Sequence, residues 1–216
     1  MQIISITDPA ALPAVQAVIQ AGGLVVIPTD TVYGVACSPL NEAAIDRLYA
    51  AKGRAREKAI QVLVAGWDAA APFIQEVTPL AGLLADHFWP GALTLTLPKR
   101  AGLPPNLSQY DTVGLRMPAH PPLVALLQAV GGALAATSAN LSGAASPTNV
   151  QMAIDALGDA VQFYLDGGET PGSLSSTVVE SHGDTLRILR EGPISEAQLR
   201  EALAGHAFHM DSSGIK

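Results

Sequence analysis

A short basic segment contains the residues that point most directly to chemistry. The chain has 12 Lys and Arg residues against 19 Asp and Glu, yet five of its cations fall close together: Arg47, Lys52, Arg54, Arg56 and Lys58. Lysine offers phosphate a point charge, and arginine offers a planar fork of donors. A solvated charged loop would have the same composition. Because the chain is otherwise acidic, with a net charge of −7, the clustering favours an anion-binding site.

Two polar segments have the residue types to complete such a site. Residues 28–34 (Pro-Thr-Asp-Thr-Val-Tyr-Gly) follow an apolar run, and residues 138–149 are rich in serine, asparagine and glycine. Ligand sites of open α/β sheets lie beyond the carboxyl ends of strands. Loops rich in serine and glycine build anion-binding nests from backbone N–H groups. An ordinary polar turn is the alternative for each segment.

Arg116 ends another apolar run, and arginine is seldom buried without a partner. A ligand carboxylate is one suitable partner, and an internal Asp or Glu is an equally good one. The sequence leaves both open.

Short apolar runs alternate with helical patterns along the chain, which is typical of an α/β fold. The pattern predicts strands at residues 2–6, 24–27, 60–64, 93–97, 113–116, 133–137, 162–165, 176–179 and 186–189. It predicts helices from a cap at Asp8 to Gly22, from Asn41 to residue 50, and at 79–87, 121–130, 150–156 and 195–204. Residues 99–111 and 138–149 remain as long loops, which are more often functional than idle.

Composition excludes several classes of protein. With 49% hydrophobic and 14% charged residues the chain is not disordered. No apolar stretch reaches the roughly 18 residues of a membrane span, so we expect no membrane association. The single cysteine, Cys37, suits a reducing, cytoplasmic setting. Five histidines without ligand spacing predict no structural metal. We expect one catalytic domain over residues 1–205 and a flexible tail over residues 206–216.

Taken in order, the motifs resemble those of the YrdC-like family, the L-threonylcarbamoyladenylate synthases. The resemblance runs from about residue 8 to residue 203 and rests on residues 28–34, 52–54 (Lys-Gly-Arg), 88–94 (Phe-Trp-Pro-Gly-Ala-Leu-Thr), 113–118 (Val-Gly-Leu-Arg-Met-Pro), 138–143 (Ser-Ala-Asn-Leu-Ser-Gly), 175–178 (Ser-Ser-Thr-Val) and 189–192 (Leu-Arg-Glu-Gly). It implies a single-domain α/β fold. The sheet would be twisted, open and mixed, flanked by helices, with a positively charged concave pocket.

The resemblance also implies a reaction. Enzymes of this kind condense L-threonine, bicarbonate or CO2, and ATP into threonylcarbamoyl-AMP and pyrophosphate. ATP would enter with Mg²⁺ on its phosphates. A separate threonylcarbamoyl transferase complex would then modify tRNA with the product. We further expect at most a weak contact between this chain and tRNA or other RNA.

The resemblance assigns roles to individual residues. Those implied to act in catalysis are Lys52, Arg54, Ser138 and Asn140. Those implied to bind ATP are Lys52, Arg54, Lys58, Thr112, Ser138, Ser146 and Arg190. Those implied to bind threonine are Thr31, Arg116, Ala136, Ser138 and Ser176, with Arg116 as the fork for the carboxylate.

One stretch departs from the family pattern. Many members carry Asn-Pro-Leu and then a histidine after the basic segment, where this chain has Lys58-Ala59-Ile60 and Leu63. Any part that the histidine plays in threonine binding is therefore absent here or filled differently. Two other functions remain as alternatives: an RNA-binding module of the same fold, and a paralogue that uses another carbamoyl or acyl substrate.

Overall fold

A mixed β-sheet forms the centre of the protein. The computed structural model describes residues 1–172 and 174–211, and within them eleven strands join one sheet. The strands are β1 (Gln2–Ser5), β2 (Val25–Ile27), β3 (Gly34–Cys37), β4 (Gln61–Val64), β5 (Leu93–Pro98), β6 (Thr112–Arg116), β7 (Ala133–Ser138), β8 (Phe163–Asp166), β9 (Thr177–His182), β10 (Thr185–Arg190) and β11 (His209–Asp211). Their order is β1-β8-β2-β3-β7-β4-β6-β5-β9-β10-β11.

The described helices are α1 (Ala11–Gln20), α2 (Glu42–Lys52), α3 (Trp67–Ala70), α4 (Pro79–Phe88), α5 (Pro121–Ala129), α6 (Val150–Leu157) and α7 (Glu196–Ala202), with short 3-10 turns at Ala71–Phe73 and Gly158–Ala160. None of the helices in this part of the chain is long and apolar enough to cross a membrane.

The two faces of the sheet are covered differently. One face packs against α2, α4, α6 and α7 and forms the larger core, which includes Leu48, Leu84 and Leu199. The other face packs against α1 and α5 around Val15, Leu123 and neighbours. α1 and α5 contact β2, β8, β4 and β7, and no helix of the described residues packs extensively on the same face over β6, β5, β9 and β10. The functional cavity lies there.

Capping residues explain where several helices begin. Asn41 accepts a hydrogen bond from the Ala44 amide and starts α2, as predicted. Ser195 and Gln198 form a reciprocal capping box at α7. At α1 the prediction was wrong by two to three residues. Asp8 accepts from the Ala10 amide in a turn, and the helix starts only at Ala11.

The mixed α/β prediction is confirmed, and two short strands and one short α-helix were missed, besides the two 3-10 turns. β3 is four residues that are all buried, so it has no alternating pattern, and it starts within a motif interpreted as a loop. α3 is a single turn of helix. β11 lies in the predicted tail and pairs in parallel with β10, while residues 212–216 lie outside the described residues. The division at residue 205 stays a prediction.

Candidate active site

An open cavity of about 500 Å³ lies on the sheet face that α1 and α5 leave bare. The strands β4, β6, β5, β9 and β10 contribute residues to it, and the segment before β3 and the ends of β7 and of the basic segment close its sides. Eight predicted site residues line this cavity: Thr31, Arg54, Thr112, Arg116, Ala136, Ser138, Ser176 and Arg190. The fold therefore brings together residues that are up to 159 positions apart in the sequence (190 − 31).

The basic segment does not act as one surface. α2 ends at Gly53, whose φ of 56° is the left-handed conformation that glycine adopts readily, and the chain turns there. Lys52 lies before the turn and is only 2% exposed. Its Nζ donates to the backbone carbonyls of Ser138 and Asn140 and lies 3.5 Å from Asn140 Oδ1. Burial, followed by the charge of Arg54, lowers the pKa of Lys52 to about 7.

Arg54 follows the turn and lines the cavity. Its Nε and Nη2 donate to the carbonyls of Lys58 and Ala59, each at 2.9 Å. These two bonds fix the guanidinium plane without neutralising its charge. Burial lowers the pKa of Arg54. The Lys58 side chain is exposed and is not part of the cavity wall.

Arg116 is paired with an internal carboxylate, which is one of the two kinds of partner that the sequence left open. Its Nη2 donates to Asp30 Oδ1 at 2.6 Å, its Nη1 to Thr31 Oγ1 at 2.9 Å, and its Nε to the Gly91 carbonyl at 2.9 Å. The arginine is 2% exposed yet borders the cavity. A guanidinium has five N–H groups, so two remain for a ligand.

Arg190 and Ser176 form a second fixed group. Arg190 donates to the Ser176 carbonyl through Nε at 3.0 Å and through Nη2 at 2.7 Å, and Nη2 also reaches Ser176 Oγ at 3.1 Å. Gly192 packs so closely on the backbone of residues 175–177 that any Cβ would overlap it, which explains the glycine at this position. Burial and then the charges of Arg116 and Arg54 lower the pKa of Arg190.

The loop after β7 is held from behind the cavity. Asn140 is buried, and its Nδ2 donates to the carbonyls of Leu141 and Ala144 at 2.9 and 2.7 Å. The Lys52 carbonyl accepts from the Ser142 amide at 3.0 Å, which joins this loop to the end of α2 a second time. Ser138 reaches the cavity, whereas Asn140 and the half-buried Ser146 do not line it.

Electrostatics make the cavity attractive to anions. Four arginines line it, Arg54, Arg116, Arg187 and Arg190, and the described lining residues include no Asp or Glu. Asp30 neutralises Arg116 from behind. Among the described residues no three His, Cys, Asp or Glu side chains form a group suited to a metal ion.

Sequence reasoning assigned no role to several cavity residues: Gln61, Thr94, Thr96, Tyr110, Gly114 and Arg187. Thr94 and Gly114 lie inside two of the family motifs, and membership of those motifs is the sequence signal that could have identified them. Gln61 and Arg187 gave no signal, because their position on the cavity floor follows from strand register. The roles of all the predicted site residues stay predictions. Four of them do not border the cavity: Lys52, Lys58, Asn140 and Ser146.

Comparisons with known proteins agree with the motifs. The family model for Sua5, YciO and YrdC, described as telomere recombination, matches residues 17–192. A protein named putative threonylcarbamoyl-AMP synthase from Mycobacterium tuberculosis is 41% identical over 186 residues, which cover 86% of this chain and 85% of that protein. The threonylcarbamoyl-AMP synthase of Bacillus subtilis is 36% identical over 96% of this chain and 60% of its own length.

Solved structures resemble this fold closely. The crystal structure of P. abyssi Sua5 complexed with L-threonine has a TM-score of 0.91 and 31% identity, covering 98% of this chain and 63% of that one. E. coli YciO, at 23% identity and a TM-score of 0.82, shows the same fold over 92% of this chain. The chain thus spans about three fifths of the Sua5 structure. The family model alone covers most of the sequence, so this chain belongs to the Sua5/YciO/YrdC family.

Proposed function

We propose that this protein is a threonylcarbamoyl-AMP synthase. One observation carries the proposal: a single cavity joins Arg116 and Thr31, suited to an amino acid, with Arg54 and Arg190, suited to phosphates. The names of its relatives and their similarity over most of the chain support the same activity.

The reaction consists of two bond-forming steps. The threonine amine attacks the carbon of CO2 and loses a proton, which gives a carbamate. With bicarbonate as the carbon source, the bond from carbon to the hydroxyl breaks as well, and the hydroxyl leaves with a proton of the amine as water. A carbamate oxygen then attacks the α-phosphorus of ATP, the bond from that phosphorus to the bridging oxygen breaks, and pyrophosphate leaves. Both reactants of the second step are anions, so catalysis rests on positioning and on neutralising charge.

The amino acid binds at the Arg116 end of the cavity. Arg116 offers its two remaining N–H groups to the threonine carboxylate, while its bonds to Asp30 and Gly91 keep the guanidinium in place. Thr31 is fixed by Thr29 Oγ1 at 3.0 Å and interacts with the polar end of the substrate. Ala136, Ser138 and Ser176 complete this end.

The triphosphate binds at the Arg54 and Arg190 end. Neither guanidinium has a carboxylate partner among the described residues, so both keep a full charge for phosphate oxygens. Thr112 adds a hydroxyl, and Ser146 contributes from the loop that Lys52 holds. Lys52 acts through Ser138 and Asn140 in this proposal, because its ammonium is already bound to their carbonyls.

The residues of the cavity do not fit a resident metal ion. Its lining offers hydroxyls and arginines but no carboxylate among the described residues, and arginines repel a divalent cation. Mg²⁺ therefore arrives as part of the substrate, held by the phosphates of ATP.

Pyrophosphate release tests the proposal. The purified protein, with Mg²⁺ and ATP, is expected to release pyrophosphate only when threonine and bicarbonate are both present. Mass spectrometry after incubation with labelled bicarbonate is expected to detect labelled threonylcarbamoyl-AMP. Release that is independent of threonine, or no release under any condition, would contradict the assignment.

The product has a defined fate in this proposal. Threonylcarbamoyl-AMP is a mixed anhydride of a carbamic acid and a phosphate, so it is an activated acyl donor. A separate threonylcarbamoyl transferase complex transfers the acyl group to tRNA. Adding such a transferase and tRNA to the reaction is expected to move the label from the adenylate to tRNA, with AMP as the second product.

A further inference from the structure

A chain of hydrogen bonds crosses the cavity floor and ends on Gln61. Arg190 Nη2 donates to Ser176 Oγ at 3.1 Å, Ser176 Oγ lies 2.8 Å from Thr94 Oγ1, and Thr94 Oγ1 donates to Gln61 Oε1 at 2.7 Å. Because the Thr94 hydroxyl donates its hydrogen to Gln61, it accepts the hydrogen bond from the Ser176 hydroxyl. Every bond of the chain then runs in one direction, from the arginine to the amide oxygen.

A missing side chain lets Gln61 reach Thr94. Gln61 is on β4 and Thr94 is on β5, with β6 between them. Gly114 occupies the intervening position of β6. A Cβ there would lie 3.1 Å from Thr94 Cγ2 and 3.6 Å from Gln61 Cβ. Glycine therefore opens a gap on the sheet surface, and the Gln61 carboxamide lies across it.

The amide nitrogen of this carboxamide has no partner in the part of the chain that the structure describes. Gln61 Oε1 is engaged by Thr94, but no described residue accepts a hydrogen bond from Gln61 Nε2. The side chain is half-buried and lines the cavity. Its N–H group is therefore available to a ligand oxygen in the cavity. The bond from Thr94 prevents the amide from turning its oxygen to the ligand.

The position of Gln61 indicates which oxygen it would meet. Leu63, two residues along β4, pairs in register with Arg116, which we assign to the threonine carboxylate. The hydrogen-bond chain links Gln61 on the other side to Arg190, which we assign to phosphate. In the product, the group between the amino acid and the phosphate is the carbamoyl group.

We propose that Gln61 binds the carbamoyl oxygen of the substrate, an inference that rests on the proposed function. Its Nε2 donates to the carbamate oxygen that does not attack phosphorus. A neutral donor orients the carbamate and does not cancel the charge of the attacking oxygen. The residue thus contributes to recognition of bicarbonate as the carbon source.

The test is the bicarbonate dependence of pyrophosphate release in Gln61→Leu, which removes the amide and keeps most of the side-chain volume. We expect the KM for bicarbonate to rise, or the rate at saturating ATP and threonine to fall, by roughly tenfold or more, the loss typical of one hydrogen bond to a charged group. The KM for ATP and the calorimetric Kd for threonine alone should stay within about twofold. Gln151→Leu, the same change on the exposed surface of α6, should match the wild type.

A second variant separates ligand binding from a structural role. Gln61→Glu keeps an oxygen that accepts from Thr94 but removes the N–H group, so it should lose bicarbonate recognition at least as strongly as Gln61→Leu while keeping the melting temperature of the wild type. Unchanged bicarbonate kinetics in either variant, or an equal loss for all three substrates, would overturn the inference. A wild-type protein without bicarbonate-dependent release would instead overturn the proposed function itself.

Discussion

Arg54 and Arg56 are two residues apart, but they lie in opposite environments. Arg54 lines the cavity and donates to backbone carbonyls of Lys58 and Ala59. Arg56 is 56% exposed, pairs with Asp46 at 2.7 Å and lies 5.3 Å from the centre of the Tyr49 ring. Carbonyl partners fix a guanidinium and leave its charge available, whereas a carboxylate partner cancels the charge. A cluster of cations in sequence can therefore divide into a part that faces a ligand and a part that is already satisfied.

The same distinction holds inside the cavity. Arg116 has Asp30 as an ion-pair partner, while Arg190 pairs, within the described part of the chain, with the carbonyl and hydroxyl of Ser176. The first arrangement suits the orientation of an amino acid with one negative charge. The second suits a triphosphate, which needs net positive charge. Substitutions of Arg116, Arg54, Lys52 and Arg56 test this division.

Removing the buried Arg116 should lower the free energy of unfolding more than the other three substitutions do. Arg116→Met leaves the Asp30 carboxylate without its partner in a largely buried site, and breaking such a pair typically costs about 3–5 kcal/mol. Urea denaturation should show this loss in the free energy of unfolding. Combining Arg116→Met with Asp30→Asn should recover much of it. A loss below about 1 kcal/mol in the single variant would mean that the ion pair does not hold this wall.

Arg54→Met should reduce activity more than stability. The variant removes an uncancelled charge from the cavity, so we expect kcat/KM for ATP to fall about 100-fold, the loss expected of a strong charge-assisted hydrogen bond. Steady-state kinetics at saturating threonine and bicarbonate measure this. If ATP kinetics stay at wild-type values, the charge of Arg54 serves some other purpose.

Lys52 should make stability depend on pH above neutrality. Burial lowers its pKa in the folded state to about 7 from the ordinary value of 10.5. Between these values the unfolded chain binds more protons, so the free energy of unfolding rises with pH. The slope is at most about 1.4 kcal/mol per pH unit. Denaturation of the wild type from pH 7 to 9 should show the rise, and Lys52→Met should lack it. Parallel curves for the two proteins would refute the assignment.

Arg56→Met should have the smallest effect. Its ion pair with Asp46 is exposed on both sides, and such pairs contribute about 0–1 kcal/mol. Both kcat/KM for ATP and the melting temperature should stay close to wild type, which makes this variant the matched control for Arg54→Met. A loss of activity comparable to that of Arg54→Met would show that the basic segment acts as one surface.

A gel-shift assay with tRNA tests the RNA-binding alternative. That alternative requires the exposed cations of the basic segment to bind tRNA at physiological salt.

The sequence predicted most of the elements because the sheet interior is built from apolar runs such as β2 and β4. It missed β3 because four consecutive buried residues have no period. For the site, residue type identified Arg116, since arginine near a strand end needs a partner, and the family motif at residues 189–192 identified Arg190. The sequence could not separate Lys52 from Arg54. The position of Lys52 depends on the carbonyl of Ser138, 86 residues away. The sequence could not identify Gln61 either, because the role that we propose for it depends on Gly114 in β6 and Thr94 in β5.

The bare half of the sheet also determines which parts of the enzyme can move. β4, β6 and β5 are each hydrogen-bonded to strands on both sides, and their far face belongs to the main core. The floor of the cavity cannot open without breaking those backbone bonds. Entry of substrates and exit of products therefore depend on the segments that border this floor, such as residues 99–111, which contribute Ser108 and Tyr110 to the cavity wall. Substitutions in such a segment are expected to alter turnover while leaving the floor of the cavity intact.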